Sequence, residues 1–197
     1  MSKNIVFGYV FLLCLSICCT SCKLKTDYQR WEDQELASGV TQDSLFLGIS
    51  FGMHQKDFYA HCWELNKQGL IRQGPKNMTV EYAMPDLRFP GKLYFYPTFG
   101  ENQIIEVPAT VAYEAWSPWN KTHQSDSLQI DLKNVLEKSY GISFMEITHP
   151  TKGKAYVHVS GNRRINIVRK DDQYVNLIFT DLRKKEMIQK LNPAKKG

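Results

Sequence analysis

One pattern occurs twice in this chain and constrains its fold more than any other feature. A stretch of helical length with one apolar face is closed by a glycine and followed by short runs that favour strands. The first stretch covers residues 54–68 and ends at Gly69, and the second covers residues 126–139 and ends at Gly141. Glycine adopts the left-handed backbone of a helix C-terminus without steric cost, so we expect two helices that end at these glycines.

Each predicted helix has an apolar face. In the first, Phe58, Cys62 and Leu65 fall together on a helical wheel, and Tyr59 and Trp63 widen the apolar arc. In the second, the shared positions are Leu128, Leu132, Val135 and Leu136, with Asp126 as a plausible N-cap. These faces predict that both helices pack on a sheet.

Strands are predicted wherever apolar residues alternate between turn signals. The expected strands are residues 45–51, 79–84, 92–96, 103–108, 142–147, 155–160, 163–169 and 174–180. Gly161-Asn162 favours a tight hairpin turn, so the last three strands are expected to form an antiparallel meander. The Asn162-Arg163-Arg164 segment then reads as an ordinary hairpin tip, although its arginines could hold an anion.

These elements predict an α+β domain over residues 45–182, with halves at about 45–112 and 124–182. In outline it resembles the helix-on-antiparallel-sheet lipoproteins and inhibitors of the BamE and BLIP type. That resemblance is topological and supplies no functional residue. A single continuous antiparallel sheet covered by both helices is the alternative arrangement.

Composition narrows the function classes. The chain is 43% hydrophobic and 23% charged, which excludes a disordered or low-complexity protein. The net charge of +5 is spread along the chain without a concentrated basic patch, so we expect no nucleic-acid partner. No residue pattern indicates a bound cofactor.

The N-terminus reads as an export signal. Lys3 precedes an apolar run over residues 5–19, and Thr20, Ser21 and Cys22 follow it. A charged start, an apolar run and small residues are the parts of a secretory signal, and the run is too short to cross a bilayer core of about 30 Å comfortably.

Four of the five cysteines lie in this N-terminal segment, so no disulfide framework can form in the body of the protein. Thr20, Ser21 and Cys22 resemble the lipobox of bacterial lipoproteins. The resemblance implies that residues 1–21 are a signal peptide, that cleavage precedes Cys22, and that this cysteine carries diacylglycerol on its sulfur and a fatty acid such as palmitate on its amino group. Cys19 departs from the large aliphatic residue usual at that position, so three alternatives remain: cleavage before Cys19, an ordinary signal peptide cut near Ser21, and an uncleaved anchor.

Residues 22–44 are then the lipidated N-terminus and a polar spacer, with a short helical stretch around residues 27–36. By analogy with such lipoproteins, Lys23 in place of the aspartate that retains many of them at the inner membrane favours the outer membrane. Residues 183–197 form a basic tail, either a solvated helical end or a weak contact with anionic lipid headgroups.

The best binding candidate lies around two tryptophans. Trp116 and Trp119 flank a proline in a stretch that follows Tyr113, and flat indoles beside polar groups can stack on sugar rings or hold a partner protein's side chains. The alternative is that both indoles fold down and seal the junction between the halves.

His54, Asp57, His61 and Glu64 share one helical stripe and could in principle hold a zinc ion. A solvated helix face explains the same spacing, and Cys62 beside His61 reads as a small buried residue. No catalytic motif occurs, so we predict a non-enzymatic lipoprotein of the bacterial cell envelope that binds an envelope protein. The alternatives are a surface glycan-binding lipoprotein using Trp116 and Trp119, and a metal-dependent hydrolase.

Overall fold

The computed structural model describes residues 26–149 and 153–191. The predicted export signal, Cys22 and the end of the basic tail lie outside these residues. The chain divides into two compact units, Met1–Asp33 and Gln34–Gly197. Helix α1 is Asp27–Ala37, which confirms the predicted helical stretch.

Both helices predicted for the folded body are confirmed. Helix α2 is Gln55–Lys67 and helix α3 is Ser125–Tyr140. Gly69 and Gly141 follow them with φ of +73° and +63°, and each donates its main-chain N–H back into the last helical turn. The left-handed backbone at these two positions is the reason that glycine stands there.

The start of α3 differs from the prediction. Gln124 occupies the N-cap position, and Asp126 lies inside the helix, where its carboxylate pairs with Arg169 at 2.6 Å. The Ser125 N–H donates to the carbonyl of Asp172 at 2.9 Å. The contact with Asp172 therefore supplies an acceptor for the first N–H group of α3. A helical wheel cannot reveal such a contact.

The strands form one nine-stranded sheet in which all neighbours are antiparallel, as expected for an α+β fold. Its spatial order is β1-β2-β3-β5-β9-β8-β7-β6, with β4 paired to β5 outside this path. The bounds are β1 Ile71–Gln73, β2 Val80–Met84, β3 Gly91–Phe95, β4 Thr98–Gly100, β5 Gln103–Tyr113, β6 Met145–His149, β7 Gly153–Ser160, β8 Arg163–Arg169 and β9 Val175–Asp181.

The two halves are joined within this sheet. Each half is a helix followed by antiparallel strands, and the last strands of the halves, β5 and β9, pair with each other. Val107 lies opposite Phe179, and Ala109 lies opposite Leu177. The continuous sheet is thus the arrangement present, and both halves contribute to one hydrophobic core.

The predicted strand at residues 45–51 is wrong. Leu47 and Gly48 have φ of +54° and +75°, and the main chain of Leu45 bonds to that of Ile49 across a tight turn. Leu45, Ile49 and Phe51 are nevertheless buried in the core. The apolar alternation marked burial correctly, but the left-handed pair reverses the chain.

The core lies between α3 and one face of the sheet. Leu128 and Leu132 are fully buried on α3 and belong to the same cluster as Ile165 and Phe179 of the sheet. Burial of side chains of this size contributes about 2 kcal/mol each. Phe58 of α2 joins the cluster at 1% exposure.

The hairpin tip between β7 and β8 is buried, against the prediction. Asn162 is 2% exposed; its side-chain carbonyl accepts from the Gln42 N–H at 2.7 Å, and its amide donates to Asp43 at 3.0 Å. Arg183 binds both Asp43 and Asp181, at 2.6 and 2.7 Å. Contacts of the folded body therefore begin before residue 45, because the end of the predicted spacer packs on this turn.

The beginning of the predicted basic tail is ordered against the domain. A 3₁₀ turn, Leu182–Lys184, leads into helix α4, Lys185–Leu191, in which Ile188 is 7% exposed. One apolar side of α4 is buried, so this part of the tail is not solvated all round.

Candidate functional site

The predicted tryptophan site does not form one surface with Tyr113. Tyr113 ends β5 at 2% exposure, and its hydroxyl donates to Asp131 at 2.8 Å. Burial and this bond raise the pKa of the phenol far above its usual range. Tyr113 is a core residue and offers no face to a ligand.

The two indoles occupy different surroundings. Trp116 is half-buried, and its Nε1–H donates to the carbonyl of Asp172 at 3.2 Å. Trp119 is 85% exposed. The prediction that both indoles seal the junction between the halves is therefore wrong for Trp119, while Trp116 is fixed against the β8–β9 turn.

The histidine and carboxylate stripe lies on α2 as predicted, but its members have separate partners. The His61 imidazole hydrogen-bonds to the carbonyl of Leu47 at 2.6 Å through Nε2, which must therefore carry the proton. Glu64 pairs with Lys67 at 2.9 Å, and the exposed His54 accepts a bond from the Lys56 N–H. Within the described ranges 26–149 and 153–191, no group of three or more histidine, cysteine or acidic residues is placed to hold a metal.

Cys62 is the cysteine of helix α2. Its thiol is half-buried, and this burial raises its pKa to about 11. At neutral pH the sulfur therefore stays protonated and unreactive, which agrees with the prediction of a small apolar side chain.

A concave surface lies between α2 and the β1–β2 hairpin, and we call it the α2 groove. Its volume is about 430 Å³. Helix α2 supplies one wall and the hairpin supplies the other, while Phe58 and Cys62 lie at its floor. The residues that line the groove include Tyr59, Trp63, Asn66, Arg72, Gln73, Met78 and Tyr96.

The groove exposes large apolar side chains. Trp63 is 63% exposed, Met78 is 71% exposed, and Tyr59 and Tyr96 are 47% and 40% exposed. Single exposed apolar residues are common on protein surfaces, but four around one concavity form a patch. Such a patch makes the groove the candidate binding surface of the domain.

The two tyrosines are held in place by a short hydrogen-bond network. Their hydroxyls are 2.6 Å apart, and Gln55 donates its amide to the Tyr59 hydroxyl at 2.9 Å. The bond to Tyr59 together with burial raises the pKa of Tyr96 to about 12. Tyr96 is therefore neutral at physiological pH, and the network fixes its ring without giving it a charge.

Cations lie at the rim of the groove. The Lys67 ammonium sits 5.6 Å from the centre of the Trp63 ring while it pairs with Glu64. Arg72 is exposed and forms no ion pair with any residue in the described part of the chain. Its guanidinium is therefore available to a carboxylate ligand.

A second cleft, of about 460 Å³, lies where α3 meets β7 and β8. Its charges are already used within the protein. Arg169 binds Asp126, Asp172 and the Ser125 hydroxyl, and the buried Gln129 amide donates to the carbonyls of Lys154 and Ile167. This cleft is a satisfied polar network, whereas the α2 groove presents unsatisfied apolar surface.

The sequence reasoning missed the groove. It placed Tyr59 and Trp63 on a buried apolar arc and gave Met78 and Tyr96 no role. One signal was available: the apolar arc of α2 is wider than a single sheet contact needs, because its own core contacts come from Phe58 and Leu65.

Comparisons with known protein families, with curated proteins and with solved structures found no match to this chain. Among the helices in the described residues, none is long and apolar enough to cross a membrane.

Proposed function

We propose that this protein is a non-catalytic lipoprotein of the bacterial cell envelope that binds a protein partner through the α2 groove. The observation that carries the proposal is the exposed aromatic set around the groove, Trp63, Tyr59 and Tyr96. A domain with this surface and no recognisable catalytic motif is suited to binding.

The anchor in this proposal is the acylated Cys22, which holds the domain at the outer membrane. Each buried methylene of a fatty chain contributes about 0.8 kcal/mol, so several chains hold a small domain at a membrane. Labelling cells with radioactive or alkyne-tagged palmitate tests this. We expect label on the parent and none on Cys22→Ser; a labelled Cys22→Ser protein, or equal partition of both proteins into the aqueous phase, contradicts the anchor.

The residue types around the groove favour a protein partner. Tryptophan, tyrosine, methionine and arginine are enriched at protein interfaces, and the first two and arginine dominate measured hot spots. Trp63, Met78 and Arg72 bring three of these types to one rim. The paired hydroxyls of Tyr59 and Tyr96 keep their rings ordered before binding, which lowers the entropy lost on association.

In-cell photocrosslinking tests the groove. A photoreactive amino acid replaces Met78 in one strain, Trp119 in a second and Ile130 in a third; Ile130 is 53% exposed on α3. We expect a discrete protein adduct from position 78 alone, at least about tenfold stronger than from the other two, and loss of that adduct when Trp63→Ala is added. Equal adducts at all three positions, or no adduct from position 78, contradict the proposal.

A glycan ligand at Trp119 is the second candidate, and the 85% exposure of that indole is the observation that favours it. An exposed indole can stack on a sugar ring. Retention of the protein on immobilised polysaccharides tests it. Loss of retention on Trp119→Ala but not on Trp63→Ala supports this candidate, and retention that neither substitution changes rejects it.

A further inference from the structure

Strand β1 forms one edge of the sheet and one wall of the α2 groove. It has three residues, Ile71–Gln73, and among the residues that the structure describes it pairs with β2 alone. An unpaired strand edge presents main-chain N–H and C=O groups that can bond to another chain. The direction in which each β1 residue points decides which groups are open.

The register fixes that direction. The Gly74 N–H donates to the Thr79 carbonyl at 2.8 Å, so Gly74 and Thr79 are a hydrogen-bonded pair. Such pairs alternate along an antiparallel ladder. The main chains of Arg72 and Glu81 therefore form the next hydrogen-bonded pair. The main-chain groups of Ile71 and Gln73 point away from β2.

A separate contact agrees with this alternation. The Asn66 side chain, on α2, donates to the Ile71 carbonyl at 3.0 Å, which places that carbonyl on the groove side of β1. The Glu114 N–H donates to the Pro90 carbonyl, so Pro90 and Glu114 are also a hydrogen-bonded pair. Alternation from this pair across β3 and β2 gives the same outward direction for the main chains of Ile71 and Gln73. The N–H and C=O of Gln73 have no partner in the described part of the chain.

We infer that the partner inserts an extended, carboxylate-bearing segment into the α2 groove and pairs it with the open edge of β1 at Gln73. This inference rests on the proposed function and names the chemistry of the partner. The segment places an apolar side chain between Trp63 and Met78 and a carboxylate on Arg72, a residue without an ion pair to any of residues 26–149 or 153–191. Main-chain bonds to a sheet edge supply affinity in such complexes, and side-chain pockets supply specificity.

The shortness of β1 sets the balance between these contacts. A three-residue edge with one open residue offers few main-chain bonds. The aromatic wall therefore has to supply most of the apolar contact, and Arg72 supplies the preference for acidic over basic segments.

The test uses the photoreactive amino acid at position 78 in the full-length protein in cells. Gln73→Pro removes the outward N–H and leaves the β1–β2 ladder intact, since proline is accepted at an edge position that points away from the neighbouring strand. Thr148→Pro is the matched control: Thr148 lies in β6 at the opposite edge, and the register there also points its main chain outward. We expect the adduct to fall about tenfold in Gln73→Pro and in Arg72→Glu and to stay unchanged in Thr148→Pro.

Mapping the crosslinked site on the partner by mass spectrometry gives a second measurement that needs no change in β1. An extended segment with Asp or Glu beside an apolar residue supports the inference. An adduct of parent strength in Gln73→Pro, or a site in a partner helix, in a basic segment or on a polysaccharide, overturns it. Absence of any adduct from the parent instead overturns the proposed use of the groove, so the two failures are distinguishable.

Discussion

The two halves of the sheet carry their helices differently. On α3, Leu128, Leu132 and Leu136 are buried, and the Gln129 amide bonds directly to main-chain carbonyls of β7 and β8. On α2 only Phe58 and Leu65 are buried. We call the second half closed, because three leucines of its helix are buried, and the first half open, because only two apolar residues of its helix are buried.

This difference shows that a repeated pattern of elements need not serve the same purpose twice. In the closed half, the helix and its network contribute to stability. In the open half, the aromatic side chains of α2 stand beside β1 and leave the α2 groove between them. Apolar surface that the protein does not bury against itself is available for a ligand.

The largest effect is expected in the closed half. Leu132→Ala removes a fully buried side chain from the α3 contact and should lower the free energy of unfolding by about 3–4 kcal/mol. Urea denaturation followed by circular dichroism measures it. Ile130→Ala, at an exposed position of the same helix, is the control and should cost less than about 1 kcal/mol. Equal costs for the two substitutions would show that α3 does not seal this half.

Two glycines of the closed half, one at the β7–β8 hairpin tip and one after α3, give the next prediction. The β7–β8 tip is buried beneath the segment before α2, and a Cβ on Gly161 would lie 2.1 Å from the Val40 carbonyl oxygen at a φ of +53°. Gly161→Ala should therefore cost about 2–3 kcal/mol, since backbone strain and a steric clash act together. Gly141→Ala has a similar φ and open space, so we expect about 1 kcal/mol from strain alone. Matching losses in thermal denaturation would argue against a tight contact at Val40.

The sequence predicted the helices and the longer strands of both halves, but it missed the short strands and the groove of the open half, for a physical reason. The α3 face, its terminal glycine and the β8 strand follow from local periodicity and turn chemistry, because each of these elements uses its apolar positions in the expected contact. The three-residue strands β1 and β4 are too short to show a period, and they form because longer neighbours pair with them. The groove depends on a gap between α2 and β1, and no local pattern encodes the width of a gap.

The same limit applies to the residues assigned to function. Trp119 and Tyr113 belong to one stretch of sequence, but one is exposed and the other ends a buried strand. Composition identified the segment as rich in binding residues, while strand register decided which of them face solvent. Met78 and Trp63 are distant in sequence, and the path of the hairpin brings them to one groove.

The two exposed tryptophans compare the open half, which contains Trp63, with the segment that joins the halves, which contains Trp119. Trp63→Ala should cost about 1 kcal/mol of stability, because part of the ring packs on α2 and under the Lys67 ammonium. Trp119→Ala should cost less than about 0.5 kcal/mol, because little of that ring is in contact with the protein. Thermal midpoints measure both, and a loss above about 3 kcal/mol for either would assign that indole to the core.

The smallest effect concerns the thiol at the floor of the groove. Because burial raises the pKa of Cys62 to about 11, its thiolate fraction at pH 7 is about a hundredfold lower than that of a cysteine with the ordinary value. Alkylation by iodoacetamide, followed by mass spectrometry on the peptide that contains Cys62, should therefore be slow and should rise about tenfold per pH unit up to about pH 11. An exposed thiol in Ile130→Cys is the reference, and its rate should level off near pH 9. If Cys62 levels off with the reference, the floor of the groove is open to water, and the partner's apolar side chain would have to displace solvent there instead of packing on a dry surface.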